Sequence, residues 1–327
     1  MDINGNVTGA GAGVTSIIAT YASLGLSATQ TVQVSSVPAT LVHRYSFNET
    51  SGTTTADSVG GSVWNGTLPR GGTFSGSGQL LLASNLQQYV QLPAGILSNY
   101  TAVTIDAWAS FGTLPGACFF FGFGNISGSS GEQYIFCQPL NGRIAITATN
   151  YSGEQNSLPN PSGSWSGLTN EHITAVFNPP LGYLALYTNG VLAAINNAVT
   201  IPFTSVNDLY SYIGRSLYSG DSYYNITLDE FRIYNGPLSA AAIAASQALG
   251  PDQVLSTASP VISVVAGGGG LTLTWPLAAT DFTVMTTTNL AGGGWTPVAV
   301  APEIVGGQWQ AVLPTAGNVQ QFYQLQR

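Results

Sequence analysis

The sequence predicts an all-β protein of packed antiparallel sheets. Three observations predict it: many short apolar runs with alternation, Gly/Ser/Asn/Pro clusters between nearly all of them, and one late alanine-rich helix. Strands are expected at 41–47, 79–82, 88–92, 102–110, 117–123, 133–138, 143–149, 172–177, 182–188, 191–195, 209–214 and 226–234. Asn189-Gly190 sits between two of them and suits a tight type I′ hairpin.

The stretch from Ile226 to Ala245 organises the middle of the chain. Ile226 and Leu228 share one face, and Phe231 and Ile233 share one face further on. The phase slips at Asp229-Glu230, which predicts a bulge or face switch. Asn235-Gly236-Pro237 supplies a turn, and Ser239 is placed to cap the helix that follows.

These landmarks, with Leu41 to Gly61 as the opening, Tyr89-Val90-Gln91-Leu92-Pro93, and Val103 to Trp108, resemble the LamG-like jelly roll of the concanavalin type. The resemblance covers about 41–249. It implies a sandwich that binds, adheres or builds, with catalysis only in some relatives. It also implies a calcium ion near the sheet rim, for which Asp57 and Asp229 match family positions. An Asx turn at Asp57, and an arginine partner for Asp229 or Glu230, are the structural alternatives.

Two flanking segments are read separately. Residues 1–36 contain Gly13 to Tyr21 and the alternating Leu26 to Val34, and resemble the C-terminal half of a bacterial group 2 Ig-like domain. Half a sandwich leaves bare strand edges. The segment is a piece of a longer chain, packs on its own body, or completes a sandwich in another copy by strand donation. Residues 251–327 hold Leu271 to Trp275, Trp295-Thr296-Pro297-Val298 and Phe322-Tyr323-Gln324-Leu325, and resemble a small fibronectin-III-like β-sandwich. The expected organisation is thus 1–36, a jelly roll over 37–250, and 251–327, with Ser35 to Ala39 as a linker.

Composition narrows the function. Of 327 residues only 6% are charged, the formal net charge is −8, and all six cations are arginine. Without lysine there is no Schiff-base chemistry. Scattered arginines on an acidic chain make no phosphate-binding surface, so nucleic acid is not an expected partner. No apolar run is long enough to span a bilayer as a helix. The uncharged polar surface favours association or suits an acidic or low-ionic habitat.

No Glu-x-Asp-x-Glu triplet of the related glucanases occurs, and Asp229 and Glu230 are adjacent rather than two apart. His43 and His172 are the only histidines, and neither lies beside a nucleophile elbow. No catalytic residue is therefore named, and the only cofactor considered is structural Ca2+. Cys118 and Cys137 lie in two apolar runs that read as a hairpin. They are expected to form a disulfide, with two free buried thiols as the alternative. Asn6, Asn48, Asn65, Asn99, Asn125, Asn150 and Asn225 stand in Asn-x-Ser/Thr triplets and are possible glycosylation sites.

Glycan binding calls for exposed aromatics beside amides and carboxylates. Tyr218, Asp221, Tyr223 and Tyr224 form the candidate constellation. The leading expectation is a non-catalytic extracellular structural protein, a filament or surface-layer subunit joined by strand complementation, with itself as partner. The alternative is a carbohydrate-binding or adhesion module of a larger surface protein.

Overall fold

A computed structural model describes residues 13–21, 26–34, 39–157, 163–255, 261–267, 270–277, 279, 282–288, 294–314 and 321–326. For 13–21 and 26–34 the backbone alone is described. Asn6, Arg327, the first twelve residues and most of the 35–39 linker lie outside these residues.

Two antiparallel sheets make the central body. The first runs in the order Val191–Asn196, Tyr183–Thr188, Glu171–Asn178, Val103–Phe111, Ile226–Asn235, Leu80–Leu82, Thr73–Phe74, with Thr40–Tyr45 also paired to the 226–235 strand. The second runs Gln155–Asn156, Arg143–Ile146, Ser130–Gln138, Phe121–Ser127, Tyr210–Ile213, Val90–Leu92, Gly66–Thr67, Thr54–Thr55. Alternation decides which side chains meet between them. Val103, Ile105, Ala107, Ala109 and Phe111 face Phe121, Phe123, Ile135, Ile144, Ile146 and Ile213 in one buried core.

The expected phase slip is present. The register of the 226–235 strand against 103–111 shifts between Leu228 and Glu230, leaving Asp229 as the extra residue. Asn189 and Gly190 both hold positive φ, 50° and 78°, as a type I′ turn requires. Ser239 caps the helix Ala240–Leu249 by accepting from the Ala242 amide at 3.1 Å. One expected strand is displaced. The run 117–123 becomes a strand only from Phe121; before it the backbone is irregular, with Phe119 in the outer aromatic cluster and Phe120 in the inner core.

The helix lies on the outer side of the first sheet, with Ala242 and Ile243 against Val176, Ala185 and Tyr234. Its other side joins the C-terminal residues. Ala245 shares a core with Leu273, Trp275, Val284, Trp309 and Leu313, which come from a four-stranded and a three-stranded sheet. At the other end of the chain, Gly13–Tyr21 and Leu26–Val34 form a two-stranded antiparallel sheet in register from Gly13↔Val34 to Tyr21↔Leu26.

Candidate functional site

The polar chemistry of the central body divides between the outer faces of the two sheets. On the first sheet, cross-strand register builds a small lattice. Thr174, Asp106 and Arg232 stand in one row, and His172, Trp108 and Glu230 in the next. Asp106 accepts from Thr174 Oγ1 at 2.6 Å, pairs with His172 Nε2 at 2.6 Å, and accepts from Ser246 Oγ of the helix at 2.8 Å. Burial pushes the Asp106 carboxyl up, but His172, Arg232 and Thr174 together hold it below the usual carboxylate range.

Arg232 donates through Nε to Glu230 at 2.7 Å, and through Nη2 to the carbonyls of Pro251 and Gln253. Arg44 reaches the same Glu230 at 2.5 Å and the Asp252 carbonyl at 3.3 Å. The alternative expectation of arginine partners thus holds for Glu230. The lattice fastens the chain leaving the helix onto the sheet.

This lattice contains Ser, His and Asp, yet it is not a catalytic triad. A triad needs the serine on the imidazole. Here Ser246 donates to Asp106, and His172 Nδ1 has no hydrogen-bond partner among the described residues. Asp106, His172 and Ser246 are all wholly buried.

The calcium positions resolve differently. Asp57 accepts from the amides of Arg44, Val59 and Gly60 at 3.0, 3.0 and 2.8 Å, while its other oxygen pairs with His43 Nδ1 at 2.6 Å. Its oxygens are occupied, so the Asx-turn alternative replaces the calcium expectation there. Burial raises the Asp57 carboxyl, and these donors outweigh that and lower it. Asp229 Oδ1 gathers with Asn48 Oδ1 and the Ser46 carbonyl about Gly78. Among the described residues no group of three or more His, Cys, Asp or Glu is placed to hold a metal ion.

Cys118 and Cys137 are free buried thiols, which corrects the expected disulfide. Phe121, not Cys118, stands opposite Cys137 in the hairpin register, because the strand starts at Phe121. Burial pushes the Cys118 thiol up to about 12.

The outer face of the second sheet carries the aromatic residues. Tyr89, Phe119, Tyr134, Phe136, Tyr212 and Leu217 form a second, smaller core there. The loop 215–224 covers it. Leu217 can settle because the sheet has glycines beneath it. A Cβ on Gly124 would lie 2.3 Å from Tyr134 Cβ and 3.0 Å from Leu217, and one on Gly122 would lie 2.8 Å from the Phe119 ring. The Ser219 amide donates to the Ser129 carbonyl at 3.1 Å, and that of Ser222 to the Ala117 carbonyl at 2.8 Å.

A cavity of about 140 Å³ opens at the edge of this loop, lined by Gln87, Arg215, Ser216, Tyr218, Ser219, Asp221, Ser222 and Tyr223. The Arg215 guanidinium lies 4.6 Å from the Tyr89 ring centre and 4.4 Å from that of Tyr212. Asp221 accepts from Ser216 Oγ at 2.6 Å. The Tyr218 hydroxyl meets Tyr134 Oη at 3.0 Å and accepts from the Tyr151 amide at 3.0 Å.

The structure therefore brings together three of the four candidate glycan residues: Tyr218, Asp221 and Tyr223. Tyr224 is the exception. It is buried, with its hydroxyl donating to the Phe119 carbonyl at 3.2 Å, so it packs beneath the loop. Sequence reasoning missed Arg215 and Gln87. Arg215 had a signal: it is a rare charge in this chain, beside the loop already singled out. Of the glycosylation triplets, Asn48, Asn99, Asn150 and Asn225 are exposed, while Asn65 and Asn125 are half-buried.

Residues 84–244 match the family model Laminin_G_3, described as the concanavalin A-like lectin/glucanases superfamily. Among solved structures, domain 4 of AbnA, a GH43 extracellular arabinanase from Geobacillus stearothermophilus solved with arabinotriose, is 20% identical with a TM-score of 0.49, over 63% of this chain and 98% of that one. The botulinum neurotoxin serotype D binding domain is 12% identical, TM-score 0.47, over 85% and 80%. Trypanosoma rangeli sialidase is 15% identical, TM-score 0.44, over 62% of this chain and 32% of its own. No curated protein matches the chain. With its two stacked antiparallel sheets, within which residues 84–244 match that family model, the central body is an antiparallel jelly-roll sandwich.

Proposed function

We propose that the protein is a non-catalytic carbohydrate-binding module, with the cleft at the edge of loop 215–224 as its site. One observation carries this reading. A guanidinium, a carboxylate, an amide, serine hydroxyls and tyrosine side chains converge on a single open cavity. That mixture suits a ligand with many hydroxyls and one apolar ring face. The match to a family described as lectins and glucanases, over residues that include the cleft, supports it.

The test is a glycan array followed by titration calorimetry, with Tyr223→Ala and Gln87→Ala as variants. Saturable binding that both variants weaken, at unchanged melting temperature, is the expected result. An array without hits overturns the reading. A glycan ligand fits an extracellular or cell-surface setting, and fractionation of the producing cells checks that part.

A second reading keeps the filament subunit. Its support is the 13–34 hairpin, which among the described strands pairs only with itself and so offers two open edges. Electron microscopy of the full chain and of a variant lacking residues 1–34 separates the readings. Filaments from the full chain alone support donation by this segment, and filaments from both exclude it.

A further inference from the structure

We infer that the cleft selects sugars bearing a carboxylate, such as a uronic or sialic acid residue. This rests on the glycan-binding reading and names its ligand class. The observation is Arg215. Arg44, Arg143 and Arg232 each hold a glutamate, at 2.5, 2.6 and 2.7 Å. Arg215 has no hydrogen-bonded or ionic partner among the described residues, although Asp221 lines the same cavity. Asp221 is engaged elsewhere, by the Ser216 hydroxyl at 2.6 Å.

The guanidinium is nevertheless fixed in place. It lies against Tyr89 and Tyr212, which themselves contact edge-to-face at 5.3 Å between ring centres. Contact of this kind holds the guanidinium carbon over the rings without using up its N–H donors, which are left to be satisfied. A planar fork held on aromatic rings, at the wall of a cavity, matches the two oxygens of a carboxylate. Asp221 and the serine hydroxyls of the loop then face the sugar hydroxyls. Asp221 also sets a limit. One cation beside one carboxylate suits a single acidic group and disfavours a densely charged chain.

The experiment compares four ligand sets by calorimetry at one ionic strength: neutral, uronate-containing, sialylated and sulfated oligosaccharides. Binding of the uronate or the sialylated set at least about tenfold tighter than the neutral one is expected, with the tighter of the two identifying the source of the acid. Arg215→Met should remove that preference. Arg215→Lys should restore only part of it, because an ammonium lacks the fork. Both variants should keep the parent's cooperative melting. Neutral sugars bound as tightly as acidic ones, with Arg215→Met unaffected, overturn the inference and leave the glycan reading standing. A preference for the sulfated set also overturns it. Binding of none of the four removes the glycan reading and this inference together.

Discussion

The two outer faces of the sandwich are covered by different means. The first sheet is roofed by a helix and the chain that follows it, and charges hold the roof down. Arg232, Asp106, His172, Glu230 and Arg44 pair with one another, and the two arginines reach three carbonyls of residues 251–253. The second sheet is roofed by a loop resting on aromatic rings and glycines; Arg143, over Phe136, is paired with Glu154, but the loop's own cation, Arg215, has no acceptor among the described residues. The difference teaches where chemistry is available. The face richer in ionisable groups is closed, because its groups are paired in holding the roof to the sheet. The face with fewer of them keeps donors free beside an open cavity.

Arg232→Met should break the charged side of this comparison hardest. It strips partners from Glu230 and Asp106, both buried, and frees the carbonyls of Pro251 and Gln253. Removing one partner of a buried pair costs roughly 3–5 kcal/mol. Urea denaturation should show that loss, with the C-terminal residues becoming more protease-sensitive. Arg215→Met should cost no more than about 1 kcal/mol, the scale of cation–π contact at a partly exposed site. Equal losses for the two arginines would erase the distinction between the faces.

Gly124→Ala tests the other roof. The added methyl would overlap Tyr134 and press on Leu217, and overpacking of this kind costs about 1–3 kcal/mol. The inner core lies on the far side of the sheet, so the sandwich should still form. Ligand binding should fall further than stability does, because the loop that carries Tyr218, Asp221 and Tyr223 is displaced. A variant with unchanged binding would show that the loop does not shape the cleft.

Much of this arrangement was legible in the sequence where the signal is local. The slip at Asp229-Glu230 shows as broken alternation, the turn at Asn189-Gly190 as a dipeptide, and the cap at Ser239 as a hydroxyl before alanines. The pairing of Asp106 with His172 and Arg232 was not legible. Those residues are far apart in sequence, and only the register of three strands aligns them. Asp57 shows the opposite failure. Its position in the turn was read correctly, but a carboxylate suited to calcium is equally suited to three backbone amides and an imidazole. Arg215 was hidden because a loop has no period, and its stacking on Tyr89 and Tyr212 depends on strands paired at Ile213↔Val90.

Acid separates two aspartates, Asp106 on the neighbouring strand and Asp229 at the bulge itself. Asp106 is held below the ordinary carboxylate value, near ~4. Its contribution is therefore present above pH ~4 and is lost as pH falls through the lower folded value. Asp229 is shifted the other way, by burial first and then by Asp252 and Glu230, against the hydrogen bond from Gln79. Raised in the folded state, it supports the fold below pH ~4 and loses that support as pH rises through the raised value. Asp229→Asn should thus be more stable than the parent at neutral pH, with the gap closing on acidification. Asp106→Asn should be less stable at neutral pH. Melting curves from pH 3 to 8 check both signs, and a shared sign would refute the assignment.

The smallest expected effect concerns the sheet beneath the aromatic roof. Cys118 and Cys137 both lie in the inner core, and a bridge between them would close a short loop worth about 3 kcal/mol. Free thiols imply that this sheet stands without a covalent staple, on its ladders and its packing. Phe231 meets Phe120 and Phe121 edge-on there, with ring centres 6.4 and 5.9 Å apart, and those two tilt against each other at 5.6 Å. Reductant should then leave the melting temperature unchanged, and a thiol reagent should stay silent until denaturant is added, since burial keeps both groups protonated. A fall in melting temperature with reductant would mean that a covalent staple, rather than aromatic packing, supports the face that holds the cleft.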